Sequence, residues 1–218
     1  MVAAKSLVAA ALVSLVCATA ALANAPSVKI SKADQAKAVA ALLKTSDLGA
    51  GWAGGTIAPS SLTPPNCPGF NPKESDLTVT GHADARFTFA AGGVELDQDV
   101  QVLVSPADVA KDFHRTISPQ LGQCLAHQLA QLSKVAGVTV KRVPFPSIGT
   151  VSAVYRALVA VRSGKSQGRL LSDYVFFGEG RVEYEFTIIA PVETGSQLPR
   201  FELGLAQILL KRAGVLPA

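Results

Sequence analysis

The segment from Leu170 to Pro191 constrains the fold of this chain more than any other stretch. Two runs rich in β-branched and aromatic residues meet at Gly178-Glu179-Gly180, a short connection typical of antiparallel hairpins. After this turn, apolar and polar side chains alternate with the period of two that a strand requires. The two faces are Val182, Tyr184, Phe186 and Ile188 against Arg181, Glu183, Glu185 and Thr187. The pattern predicts a hairpin at the centre of an antiparallel sheet, with one face in the core and the other facing water.

Periodic segments before and after this hairpin define the fold class. Helical spacing predicts helices over 31–44, 105–132 with an interruption at Ser118-Pro119, and 198–213. Alternation predicts further strands over 84–89, 95–104, 138–145 and 152–162. The order α-β-β-α-β-β-β-β-α predicts an α+β fold, in which an antiparallel β-sheet of about six strands packs against amphipathic helices. Between the first helix and this sheet, residues 53–82 are rich in Gly, Pro and Ser, which predicts a long loop.

The N-terminus has the pattern of an export signal. Lys5 precedes an apolar run from Leu7 to Leu22, and Ala21-Leu22-Ala23 is a small-x-small cleavage site. Cleavage after Ala25 is the competing choice, and an uncleaved membrane anchor is the other alternative. We therefore predict a signal peptide over 1–23 and a single domain over 24–218. No later run reaches membrane-spanning length, so the expected location is secreted or in the cell envelope, outside the cytoplasmic membrane.

Two cysteines, Cys67 and Cys124, remain after the predicted cleavage. An even pair in an exported chain indicates a disulfide, because the extracytoplasmic compartment is oxidising. The alternative, a redox or metal-binding pair, lacks the CxxC spacing and a neighbouring histidine.

Sequence motifs for catalysis, cofactors or metals are not found. Gly164-Lys165-Ser166 resembles the end of a phosphate-binding loop, but Val159 stands where that motif needs glycine, and a hairpin turn is predicted instead. His82, His114 and His127 do not form a metal-binding motif. The formal net charge of +4 is small, and the basic residues are scattered along the chain. Both features argue against nucleic-acid binding.

A short N-terminal signature gives a family resemblance. Leu42-Leu43 is followed by Ser46-Asp47-Leu48-Gly49-Ala50-Gly51-Trp52, and Cys67 and Cys124 lie downstream. This arrangement resembles actinobacterial exported proteins similar to the extracellular sensor domain of PknH-type Ser/Thr kinases, whose signature is similar to LLxxxDLPxGW. Gly49 stands where the family usually has Pro. The resemblance implies a helix-flanked antiparallel sheet that binds an unidentified extracytoplasmic ligand or partner.

These observations lead to a hypothesis of a non-enzymatic, exported binding or sensor-like module. Its expected partner is an extracytoplasmic small molecule, a cell-wall component or an envelope protein. The candidate binding residues are Trp52, Arg156, Glu183 and Glu185, on the polar sheet face and the neighbouring loop rim. Two alternatives remain open. The first is a cell-wall glycan hydrolase using Glu183 and Glu185, whose Cβ atoms would lie roughly 7 Å apart on one strand face. The second is a structural partner of another envelope protein.

Overall fold

The computed structural model describes residues 24–163 and 166–213. The predicted signal peptide at 1–23 and the turn residues Gly164 and Lys165 lie outside the described residues. Within the described part, the protein has a mixed α+β fold built on one sheet of eight strands. The strands are β1 (Ser27–Val28), β2 (Trp52–Ile57), β3 (Thr78–Phe89), β4 (Val94–Leu103), β5 (Val135–Val143), β6 (Val151–Ser163), β7 (Ser166–Glu179) and β8 (Val182–Pro191).

The sheet consists of a hairpin and a meander joined side by side. Strands β3 and β4 form the hairpin, and β5 to β8 form a four-stranded antiparallel meander. Strand β8 pairs antiparallel with β4, which joins the two parts into the order β1-β3-β4-β8-β7-β6-β5. The free edge of β3 is covered by β1, which is parallel to it, and by β2, which is antiparallel. The predicted central hairpin is confirmed, with Glu179 paired to Val182 across its tight turn.

Helices and a long loop lie on both faces of this sheet. The helices are α1 (Lys32–Ala40), α2 (Pro106–Thr116), α3 (Pro119–Ala130) and α4 (Leu198–Arg212), and a single helical turn spans Thr45–Leu48. Helices α1 and α4 share the main hydrophobic core with the first face of the sheet, where Tyr184, Phe186 and Ile188 are almost fully buried. Helices α2 and α3 lie against the second face, over β7, β8, β5 and β6.

This second helical layer corrects one expectation from the sequence. Alternation predicts that the polar face of β8 looks directly into water, but this face is roofed by α2 and by the loop at 58–77. The alternation of β8 correctly separates the two faces. It gives no information on what covers the second one, because that depends on segments far away in the chain.

Two boundaries also differ from the sequence prediction. Helix α1 begins with the predicted cap by Ser31 but ends at Ala40, because the buried side chain of Gln98 accepts a hydrogen bond from the Leu43 N–H at 2.8 Å. The predicted loop at 53–82 contains edge strand β2 and the start of β3. Gly54 permits that edge strand, since an added Cβ would lie 2.1 Å from the carbonyl oxygen of Arg86.

The predicted disulfide is present between Cys67 of the long loop and Cys124 of α3, with the two Cα atoms 5.4 Å apart. Both cysteines are buried in a second hydrophobic cluster with Phe70, Leu121 and Tyr155. The disulfide therefore fixes the loop to the helical layer over the second face of the sheet.

Candidate functional site

The register of β3, β4 and β8 places six polar residues side by side on the second face of the sheet. His82 pairs with Gln101, and Gln101 pairs with Glu183. In the next row, Asp84 pairs with Asp99, and Asp99 pairs with Glu185. We call these six residues the acidic sheet face: His82, Asp84, Asp99, Gln101, Glu183 and Glu185. Four carboxyl groups thus lie within two adjacent rows of one sheet.

Helix α2 and the loop enclose part of this face. The helix comes close to the sheet at Gly178, where an added Cβ would lie 2.7 Å from Cγ1 of Val109. The loop residues Ser60 to Pro65 form the opposite wall. Together they leave a cavity of about 290 Å³, which we call the acidic pocket. The disulfide lies two residues beyond this wall at Cys67, so it holds the loop near the pocket.

Five carboxyl groups line the acidic pocket. Glu183 and Glu185 come from β8, Asp99 from β4, Asp112 from α2 and Glu74 from the loop. The remaining wall is largely apolar and comprises Leu62, Pro64, Pro65, Phe113, Ile117 and Phe176 among others. The described residues that line the pocket include no lysine or arginine. Negative groups and apolar surface therefore converge there without a cationic side chain from the pocket wall.

The pocket keeps several of these carboxyl groups protonated near neutral pH. Burial raises the pKa of Glu183 well above its usual range, and the charge of Asp112 and a hydrogen bond to its carboxylate add to the effect. Burial also raises the pKa of Glu185 and of Glu74 to about 8 in each case, with neighbouring aspartates contributing. Low polarity and like charges both favour the neutral form of a carboxyl group. A cation entering the pocket would offset both effects.

His82 lies at the edge of the acidic sheet face, between two aspartates. Its Nε2 atom is 2.6 Å from Oδ2 of Asp99 and 2.9 Å from Oδ1 of Asp84. Burial disfavours the charged imidazolium, but the close contacts with the carboxyl groups of Asp84 and Asp99 outweigh it and raise the pKa of His82 to about 9. Asp84 is also buried, yet His82 and the Ser60 N–H lower the pKa of its carboxyl group to about 2. Asp84 is thus held ionised while the Glu side chains of the pocket are neutral.

The four predicted binding residues do not form one surface. Glu183 and Glu185 lie together in the acidic pocket, but Arg156 lies on the opposite face of the sheet. There its Nε donates to the buried carboxylate of Asp173 at 2.8 Å, and Glu202 of α4 is its second acidic neighbour. The prediction that Arg156 shares a face with the two glutamates is therefore wrong. In the hairpin register Arg156 pairs with Asp173, whose side chain points to the α4 side.

Trp52 lies away from the pocket as well. Its ring stacks on Phe89 and Phe201, with ring centroids 5.6 and 5.9 Å away. It packs against the main core and is partly buried. These contacts make Trp52 a packing residue beside α4, and it lines neither the acidic pocket nor the loop wall.

Searches with protein-family models, among curated proteins and among solved structures gave no match to this chain. Function is therefore argued from the site itself. Within the described ranges, no helix combines the length and apolar character needed to cross a bilayer.

Most of the residues that complete the site are not indicated by any pattern in the sequence. Alternation places Asp84 and Asp99 on the polar faces of their predicted strands, and no pattern singles out Asp112 or Glu74. One signal was available in the β3–β4 hairpin, where the turn at Ala90–Gly92 fixes the register and places Asp84 opposite Asp99. The contributions of Asp112 and Glu74 had no comparable signal, because they depend on how α2 and the loop pack over the sheet.

Proposed function

We propose that this protein is a non-enzymatic binding module of the cell envelope whose ligand is a small organic molecule carrying a positively charged amine. The observation that carries the proposal is the convergence of five carboxyl groups in one pocket that no lysine or arginine of the described chain lines. A positively charged ligand is the complementary chemistry for such a pocket.

The apolar wall favours an organic cation as the occupant of this pocket. Phe113 and Phe176 bring aromatic rings to the same cavity as the carboxyl groups. Aromatic faces attract ammonium groups and also contact the carbon atoms of an amine ligand. The volume of about 290 Å³ is near the lower end of the range for small-molecule pockets. A short alkyl amine or diamine fits that size better than a large ligand.

The resemblance of the N-terminal signature to PknH-type sensor domains implies a binding role, although no family model matches the chain. The disulfide supports an extracytoplasmic location, because such bonds persist in oxidising compartments.

The pocket favours binding over glycan hydrolysis by Glu183 and Glu185. A glycosidase needs one carboxyl group protonated and its partner ionised. Here burial raises the pKa of Glu185 to about 8 and that of Glu183 well above its usual range, so the pocket favours the neutral form of both and does not single out an ionised partner. The enzyme would be supported instead if the protein hydrolysed wall glycans and a folded Glu183→Gln variant did not.

The test is calorimetric titration of the disulfide-bonded protein with butylamine and 1,4-diaminobutane. Butanol and butyrate serve as neutral and anionic ligands of similar size. We expect the amines to bind and the other two not to bind. The double variant Glu183→Gln, Glu185→Gln should weaken amine binding by about tenfold or more, since it removes two charge-assisted hydrogen bonds. Burial favours the neutral form of both carboxyl groups, so an uncharged amide of similar size should preserve folding.

Glu95→Gln is the matched control. Glu95 lies on the same strand face as Asp99 but is exposed and does not line the acidic pocket. Its replacement should leave amine binding unchanged. Equal binding of butyrate, or full amine affinity in the double variant, would refute the proposal.

A further inference from the structure

Three side chains of the acidic sheet face converge on one point beside the acidic pocket. Nε2 of His82, Oδ1 of Asp84 and Oδ2 of Asp99 all lie within 4.8 Å of one another. His82 and Asp84 are two residues apart on β3, and Asp99 lies opposite Asp84 on β4. The three donor atoms therefore belong to side chains of one paired hairpin, whose backbone is a rigid support for a site.

The protein's own hydrogen bonds do not satisfy this cluster. A single imidazole nitrogen carries at most one proton, and Nε2 of His82 shares its proton with Oδ2 of Asp99 at 2.6 Å. Oδ1 of Asp84 faces the same nitrogen at 2.9 Å but has no hydrogen-bond partner among the described residues. Asp84 is only 5% exposed, and a buried carboxylate oxygen normally has a hydrogen-bond partner.

The second oxygen of each aspartate is held by a different group. Oδ2 of Asp84 accepts a hydrogen bond from the backbone N–H of Ser60 at 2.7 Å. Oδ1 of Asp99 accepts one from the side-chain amide of Gln101 at 3.1 Å. The backbone of His82 is fixed in both directions by the side-chain amide of Gln35. Outer contacts of this kind orient metal ligands in known sites.

We propose that His82, Asp84 and Asp99 bind a first-row divalent transition-metal ion, such as Zn²⁺ or Mn²⁺. The ion takes the place of the shared proton and bonds to both carboxylate oxygens, which removes the unsatisfied position on Asp84. One imidazole nitrogen with two carboxylate oxygens suits these ions, whereas Ca²⁺ and Mg²⁺ prefer sites made of oxygen atoms alone.

The three protein ligands would leave coordination positions on the ion open. Asp84, Asp99 and Glu185 line a second cavity of about 240 Å³, which gives an additional ligand room to reach the ion.

The test is titration of the disulfide-bonded protein with Co²⁺ alone, followed by visible absorption. Co²⁺ bound through nitrogen and oxygen ligands has absorption bands that report its coordination, and Zn²⁺ should displace it. We expect one equivalent to bind. His82→Gln and Asp84→Asn should each lower the affinity by about tenfold or more, a loss at least as large as that from removing an outer contact. His127→Gln is the matched control, because His127 is an exposed histidine on α3.

The same experiment separates the metal site from the amine site. Glu183→Gln, Glu185→Gln should keep Co²⁺ binding while it loses amine binding, and His82→Gln should do the opposite. A direct measurement on the wild-type protein covers the case in which a variant fails to fold: the ¹⁵N resonance of His82 Nε2 should shift when Zn²⁺ is added. The absence of that shift, the absence of Co²⁺ binding, or an equal loss in His127→Gln would overturn the proposal.

Discussion

The stability of a Glu202→Gln variant, measured as its difference from wild type, should increase as the pH rises. Glu202 projects from α4 into the core and is 1% exposed. It meets Arg156 and the fully buried Asp173, so one guanidinium faces two buried carboxyl groups. Arg156 makes its closest contacts with Asp173. Burial, together with a hydrogen bond to Asp173 and its charge, raises the pKa of Glu202 to about 9.

The sign of the effect follows from proton linkage. Above the pKa of an unfolded glutamate, near 4.5, the folded protein holds a proton on Glu202 that the unfolded chain has released. The free energy of unfolding therefore falls as pH rises from about 5 towards 9, by up to about 1.4 kcal/mol per pH unit from this group. From pH 5 to pH 8 the sum approaches about 4 kcal/mol. The amide introduced by Glu202→Gln takes up no proton in either the folded or the unfolded state, so the variant should lack this slope.

Urea unfolding of both proteins at pH 5, 6, 7 and 8, with the disulfide intact, measures this difference. The acidic pocket also gives wild type a pH-dependent stability, but that contribution is common to both proteins and cancels in their difference. Glu193→Gln, at an exposed position, is the control for replacing a glutamate by glutamine. If the difference in unfolding free energy between Glu202→Gln and wild type stays constant with pH, the assignment of a neutral Glu202 is refuted. A variant that becomes less stable than wild type with rising pH would indicate an ionised Glu202 paired with Arg156.

Two further predictions concern the layer over the acidic pocket. The double variant Cys67→Ala, Cys124→Ala should lose about 4 kcal/mol of stability, because the disulfide closes a sequence separation of 57 residues; urea unfolding measures the loss, and an unchanged midpoint would contradict it. Gly178→Ala should cost about 1–3 kcal/mol, since the new Cβ would lie 2.7 Å from Val109. The Val109→Ala background tests the cause, because Val109→Ala removes the Cγ1 atom of this contact. Gly178→Ala should cost less stability in that background than in wild type. An equal cost in both backgrounds would show that the contact is not the reason for the loss.

The sheet was predictable because its information is local. Alternation in β8 separates Tyr184 and Phe186 from Glu183 and Glu185, and the structure keeps that separation. The turn before β8 fixes its register with β7 in the same way. The predicted signal peptide would remove Cys17, and the pair of cysteines that is left was sufficient to predict the Cys67–Cys124 bond. Each of these predictions needs only neighbouring residues or composition.

The pocket was less predictable because its parts are distant in sequence. Asp112 reaches Glu183 only because α2 crosses β7 and β8 at Gly178, and a single sequence does not indicate that crossing. Arg156 was placed on the wrong face for a related reason. Alternation along β6 correctly puts Arg156 on the other face from Tyr155. Whether it shares a face with Glu183 depends on the registers of β6 and β8 with β7, which lies between them. That offset is a tertiary property of the meander.

The two faces of the sheet handle buried carboxyl groups differently, and this contrast is the strongest physical reason to expect a cation in the pocket. On the α4 side, the fold provides Arg156 for Asp173, and Glu202 is neutral. On the other side, Glu183 and Glu185 face Asp112 and no lysine or arginine from the described pocket wall. Carboxyl groups with raised pKa values reduce stability as the pH rises towards and above neutrality, because the folded state must retain their protons or bury their charges. Gln at the same positions would avoid that cost, so the carboxyl groups contribute nothing to folding that a neutral amide could not. A bound ammonium group would give these side chains the positive partner that Arg156 gives Asp173.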